Sequence, residues 1–174
     1  MALIIEDGSG LPDAQSYVSV DEADAYLTAR GKFDAWDEFD ADEKGAFLVR
    51  AADYLGQAYR LGWAGNRRTA HQSLDWPRYA VPQIDAPTFI YDVFYDPAVI
   101  PREVKNAQIE AAFRFLSGEL APDQSAPVIE RTIGPITTKY AEGARQSPTF
   151  PVIDRMLAPF LTNRGSMSAR VIRT

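Results

Sequence analysis

Apolar and polar positions follow a helical period in several stretches of this 174-residue chain. In SVDEADAYLTARG, Val20, Ala23, Tyr26 and Leu27 recur at three- and four-residue spacing. Such residues share one face of a helix, so the stretch predicts a short amphipathic helix. Ser19 and Glu22 have capping-box spacing at its start, and Gly31 closes it. A second helix starts at Asp40, with Glu43 three residues on, and ends near residues 59–62. Phe47, Ala51, Tyr54, Leu55 and Ala58 mark its inner stripe. Phe33, Trp36 and Phe39 are expected to pin the connection between the two helices to the core.

The period breaks between residues 62 and 100, where Gly62, Gly65, Pro77, Pro82, Pro87 and Pro97 fall among many aromatics. A long irregular stretch in a compact domain is usually functional or interface-forming. Within it, PTFIYDVFYD is read as a short strand or an aromatic cluster. The clearest helix follows, with Pro101 in its first turn and Gly118 as its stop. Val104, Ala107, Ile109, Ala111, Ala112, Phe113, Phe115 and Leu116 cover more than one of its faces, so it is central or also packed on neighbouring subunits. VIERTI and ITTKY, parted by Gly134 and Pro135, predict a hairpin or a kinked strand. PVIDRMLAPFL predicts a last short helix with Val152, Met156, Leu157 and Phe160 inward. The pattern therefore predicts a mainly α fold, a small helical bundle with a short β-hairpin and an extended C-terminal tail. The body is read as residues 1–161 and the tail as residues 162–174.

Composition narrows the chemistry. The absence of cysteine excludes disulfides, thiolate zinc sites and cysteine nucleophiles, and one histidine excludes His-rich metal clusters. MALIIEDGSG has no basic n-region, and no apolar run approaches membrane-spanning length, so a soluble intracellular protein is expected. The net charge of −6 is unevenly distributed. Asp21, Glu22, Asp24, Asp34, Asp37, Glu38, Asp40, Asp42 and Glu43 crowd one region, whereas the chain from Arg155 onward carries arginines and no acid. An acidic body repels phosphate. The basic tail reads as a docking arm for an acidic surface or as a solvated terminus.

HQSLDWPR contains His71, Ser73 and Asp75, which invites a reading as base, nucleophile and orienter. Catalytic triads bring distant segments together, and no G-x-S-x-G elbow or glycine-rich oxyanion loop is present. The residues read as loop structure, and no catalytic residue is assigned. The acid cluster lacks the spacing and central glycine of a calcium loop, and Gly62 and Gly65 open no phosphate loop. No metal or cofactor is expected. Single-stranded DNA binding is the alternative function, because 3 Trp, 8 Tyr and 9 Phe offer stacking rings. Such binding also needs a basic groove, and here the charge has the opposite sign.

YVSVDEADAYLTARG, the Trp63-to-Gly65 motif, QSLDWPR and IPREVKNAQIEAA together resemble head-tail connector, or head-completion adaptor, proteins of tailed bacteriophages. Members of that group are sometimes labelled DnaT-like single-stranded DNA-binding proteins. The resemblance runs from about residue 16 to 161. It implies a non-enzymatic virion protein that forms a dodecameric ring beneath the portal protein. It also implies a bridge to a tail-side stopper or tail terminator, with genome DNA passing through the channel without specific binding. The location implied is the neck between head and tail, after assembly in the host cytoplasm. Within this frame Arg164, Met167, Arg170, Val171, Ile172 and Arg173 are read as a portal-docking tail. Trp63, Trp76, Pro77 and Arg78 are read as structural loop anchors, Trp76 buried and Arg78 paired with a carboxylate in its own subunit or the next.

Overall fold

The computed structural model describes residues 3–87, 93–121, 130–133, 136–139 and 149–162, the two four-residue segments as backbone. Its order is α1 (Val20–Thr28), α2 (Phe33–Trp36), α3 (Ala41–Tyr59), β1 (Asn66–Arg67), β2 (Arg78–Tyr79), α4 (Arg102–Phe115), β3 (Glu130–Ile133), β4 (Ile136–Lys139) and α5 (Pro151–Leu157). A 3-10 turn, Ala158–Phe160, follows α5. The fold is mostly helical with small antiparallel β elements, and among the described residues no helix is long and apolar enough to cross a membrane.

Local chemistry starts the first two long helices. The Glu22 amide donates to Ser19 Oγ at 3.0 Å and the Ser19 amide donates back to Glu22 Oε2 at 2.9 Å. Asp40 and Glu43 repeat the exchange at 2.9 and 3.0 Å. Each box satisfies amides that a helix start leaves without intrahelical acceptors. Between them the predicted connection forms α2, and Trp36 is fully buried with its indole N–H donating to Asp24 Oδ1 at 2.7 Å.

Helix α4 is the central element, packed against α3, α5 and α1. Val104, Ala107, Ile109, Ala111 and Ala112 are buried on it, which accounts within one subunit for its broad apolar surface. It also buries Gln108 and Glu110. Gln108 Nε2 donates to Ser16 Oγ and to the Leu48 carbonyl, both at 2.8 Å, and Gln108 Oε1 accepts the Tyr17 amide at 2.9 Å. Glu110 accepts from Lys32 at 2.9 Å, Arg114 at 2.6 Å and the Tyr26 hydroxyl at 3.2 Å. Burial pushes the Tyr26 hydroxyl up to about 12, with the Glu110 charge adding to the effect.

Two predicted stripes hold in part: Ala51 and Leu55 on α3, and Leu157 and Phe160 at and after the end of α5, are buried as expected, and the other positions are corrected. On α3 the fully buried set is Leu48, Ala51 and Leu55, while Ala58 is exposed. Phe47 and Tyr54 lie partly buried beside it, Phe47 against Phe39 and Trp36, and Tyr54 against Tyr59 and Phe150. On α5 Ile153 is fully buried and Val152 faces outward at 43% exposure. Pairing of β3 with β4 brings Ile133 opposite Ile136 and selects the hairpin over the kinked strand. Gly134 and Pro135 lie outside the described residues.

Candidate functional site

The stretch from Leu61 to Tyr79 is irregular in sequence yet closely held in the fold. Its base is the ladder of β1 with β2, pairing Asn66 with Tyr79 and Arg67 with Arg78. Gly65 has φ +66, and a Cβ there would lie 2.1 Å from the Tyr79 carbonyl oxygen, so the two strands close only over a glycine. Gln72, which is buried, ties the loop internally. Its Oε1 accepts the Thr69 amide at 2.8 Å, and its Nε2 donates to the Leu74 and Pro77 carbonyls at 2.9 and 3.1 Å.

The N-terminal segment clamps the same loop from outside. The Glu6 carboxylate accepts the amides of Gly8, Gly10 and Leu11 at 2.8 to 2.9 Å, folding that segment into a turn. The Ser73 amide then donates to the Leu11 carbonyl at 3.0 Å and the Ser73 hydroxyl to the Ala14 carbonyl at 2.6 Å. The Tyr17 hydroxyl accepts both the Asp75 and the Trp76 amides, at 3.1 and 3.2 Å. Burial drives that hydroxyl's pKa well above the ordinary tyrosine value, so it stays protonated and keeps a proton to donate.

The four predicted anchors meet here. Trp76 is fully buried, with ring centroids 5.9 Å from Trp63 and 5.5 Å from Phe160 in edge-to-face contact. The bond from Trp76 to the buried Pro77 is cis. Trp63 pairs with Leu161 in an antiparallel bridge, and Thr162 donates its amide to the Gly62 carbonyl at 2.7 Å. Within its own subunit Arg78 meets backbone carbonyls in place of the expected carboxylate. Its Nε donates to the Ala64 carbonyl at 2.8 Å, Nη2 to Gly65 at 2.8 Å and Nη1 to the Asp75 backbone at 3.1 Å. A planar fork of donors suits three converging carbonyls, which a loop without regular structure leaves in need of partners.

His71, Ser73 and Asp75 do not converge. His71 is exposed, the Ser73 hydroxyl is engaged by a backbone carbonyl, and Asp75 is 4% exposed with Oδ1 3.5 Å from Arg60 Nε. Asp75 lines a cavity of about 470 Å³ together with Tyr17, Asp53, Gly56 and Arg60. Its Oδ2 has no hydrogen-bond partner among the described residues.

Residues missed by the sequence reading are Glu6, Tyr17, Gln72, Gln108 and Glu110, all buried and bonded across the fold. The two on α4 had a readable signal, a glutamine and a glutamate set among Ala107, Ile109, Ala111 and Ala112. The tail residues Arg164, Met167, Arg170, Val171, Ile172 and Arg173 lie outside the described residues, as do Phe89, Ile90 and Tyr91 of PTFIYDVFYD. The described part of that stretch pairs Phe94 with Pro82 in an antiparallel bridge.

The predicted acid cluster is a solvated face. Eight of its nine carboxylate residues are exposed, and Asp24 binds Trp36 and Lys44. Among the described residues no group of three or more His, Asp and Glu is placed to hold a metal. Of the described aromatics only Tyr79 and Phe94 are exposed, at 46% and 51%. The neighbouring arginines turn inward, Arg68 to the Gly8 and Pro97 carbonyls and Arg67 to Leu74. One family model matches the chain over residues 1–174, under the description "Putative DnaT-like ssDNA binding protein". No curated protein and no solved structure matches it.

Proposed function

The chain belongs to this DnaT-like family, and from that premise we propose that it is a non-enzymatic assembly protein that binds other proteins. The role we assign is the head-to-tail adaptor of a tailed bacteriophage, a ring beneath the portal that bridges it to tail-side neck proteins. One observation carries this reading. Most of the described rings and the loop arginines Arg67, Arg68 and Arg78 are engaged inside the fold, whereas several apolar side chains of the same region stand in solvent. Ile84, Val93, Phe94 and Val99 stand 37% to 53% exposed, and Leu61 is 99% exposed. Apolar surface of this kind suits protein contact, and a closed ring needs two such patches on every subunit. An acidic face turned to a channel would let DNA pass without adhering. The arginine-bearing tail supplies the docking arm.

The family's description favours a second reading, single-stranded DNA binding. The two separate in one titration. A labelled oligothymidine mixed with the full chain at low salt is expected to show no saturable binding. Saturable binding that weakens steeply with added salt would replace the adaptor reading with the second one. Electron cryomicroscopy of an assembled neck is expected to place the chain between portal and tail.

A further inference from the structure

The chain between β2 and α4 presents an open strand edge. Residues 81–83 run antiparallel to residues 93–95: the Gln83 amide donates to the Val93 carbonyl at 2.7 Å and the Tyr95 amide to the Val81 carbonyl at 2.9 Å. Pro82 and Phe94 lie opposite each other between these two bonds. In an antiparallel ladder a pair so placed turns its own amides and carbonyls outward, away from the partner strand. On one side the outward residue is Pro82, which has no N–H and blunts that edge. On the other it is Phe94, whose N–H and carbonyl have no backbone hydrogen-bond partner among the described residues.

The same register settles which side chains face solvent, because they alternate across a strand. Val81 is fully buried and Tyr95 packs on Phe160 with ring centroids 5.1 Å apart, so theirs is the inner face. Pro82, Ile84 and Phe94 fall on the other face, where Ile84 and Phe94 are 50% and 51% exposed. The solvent side of an antiparallel pair is ordinarily polar. Here it is an apolar strip beside an edge that can still donate and accept, and an added strand would gain main-chain bonds from Phe94 while covering its ring. Charge selects the strand. Residues 79–101 contain Asp85, Asp92 and Asp96 and no lysine or arginine, and Asp85 and Asp96 are exposed. Two copies pairing through this segment would bring its acids together, and like charges facing across strands are unfavourable.

We propose that the edge at residues 93–95 receives an extended segment of another protein, basic on either side of an apolar residue that lies against Phe94. The inference rests on the reading of this surface as protein contact and adds the form and charge of the partner. The oligothymidine titration tests the adaptor reading and not this edge, so the two fail separately.

NMR titration of the isotope-labelled full chain with the peptide Lys-Thr-Val-Thr-Lys tests the edge, since the two lysines and the valine share one strand face. Saturable shifts are expected at the amides of Val93, Phe94 and Tyr95, with an affinity in the millimolar range. Phe94→Pro removes the outward donor and keeps the bonds made by the Gln83 and Tyr95 amides. It should weaken binding about fivefold or more, the scale of one backbone hydrogen bond. Asp85→Lys, at an exposed position beyond the ladder, should weaken it about threefold, as should exchanging the peptide's lysines for glutamates. No shift at these amides, or equal affinity in the parent, Phe94→Pro and Asp85→Lys chains, overturns the edge. Shifts that grow with the chain's own concentration, without peptide, overturn the assignment to another protein and give the edge to a second copy.

Discussion

Trp36 and Trp76 are both fully buried, yet the chain holds them by different kinds of contact. Trp36 lies among α1, α2 and α3, where both capping boxes act over three residues and its indole N–H reaches Asp24, twelve positions away. Trp76 is held by the Tyr17 hydroxyl, 59 positions away, and by the rings of Trp63 and Phe160. Its indole N–H and that of Trp63 find no acceptor among the described residues. Leaving such donors unbonded costs about 1–3 kcal/mol each, so aromatic packing must outweigh that penalty. The helical end is specified locally and bonded by charge. The loop end is specified at long range and held by shape.

The largest effect should come from breaking the loop end at its centre. Trp76→Ala is expected to lower unfolding free energy by about 3–5 kcal/mol, through lost ring burial and the cavity left between Trp63 and Phe160. Denaturant titration measures it, and a loss under about 1 kcal/mol would show that the ring contacts are not what holds the loop. Gln108→Leu removes the group that bridges the N-terminal segment to α3. It leaves the Tyr17 amide and the Leu48 carbonyl without this partner, for a loss of about 2–3 kcal/mol in the same assay.

The same division decides what was legible beforehand. Both capping boxes, the α4 boundaries and the burial of Trp76 follow from signals within a few residues: spacing, a proline, a glycine, a large ring beside Pro77. Gln108, Glu110, Tyr17 and Glu6 act through partners that only the fold brings near, so their types gave no position for a partner. Arg78 shows the limit well. An arginine after Trp76 and Pro77 suggested a carboxylate, but within the chain three backbone carbonyls of an irregular loop meet its donors. The α3 stripe was shifted because Phe47 and Tyr54, the larger residues, pack at its margin while Leu48 and Ala51 face the centre. Of the candidate site, the loop was visible, whereas the cavity behind Asp75 depends on Gly56 and Arg60 from another element.

Acid should probe the helical end selectively. Burial raises the Glu110 carboxyl, and the hydrogen bonds from Arg114 and Lys32 together outweigh it, so its folded pKa lies below the ordinary 4.5. A depressed carboxylate adds stability that is fully present above the unfolded value and lost as pH falls through the folded one. Unfolding free energy should thus decline below about pH 4.5, and Glu110→Gln should flatten that decline while costing about 1–2 kcal/mol at neutral pH. A variant with the parent's acid slope would show that Glu110 does not carry it.

The smallest pair of effects sets a local cap against the residue that first drew attention as chemistry. Ser19→Ala removes one side of the α1 capping box and should cost about 1 kcal/mol. His71→Ala, at an exposed position in the loop end, should stay within about 0.5 kcal/mol of the parent. The contrast is informative because the burial of the two regions is alike and their sequence signals are opposite. Ser19 is an unremarkable serine whose role follows from Glu22 three residues on, and His71 is a conspicuous residue with no contact that the loop requires. If thermal denaturation ranks His71→Ala above Ser19→Ala, the loop end depends on its exposed rim as well as its buried rings, and the division drawn between the two tryptophans fails at that point.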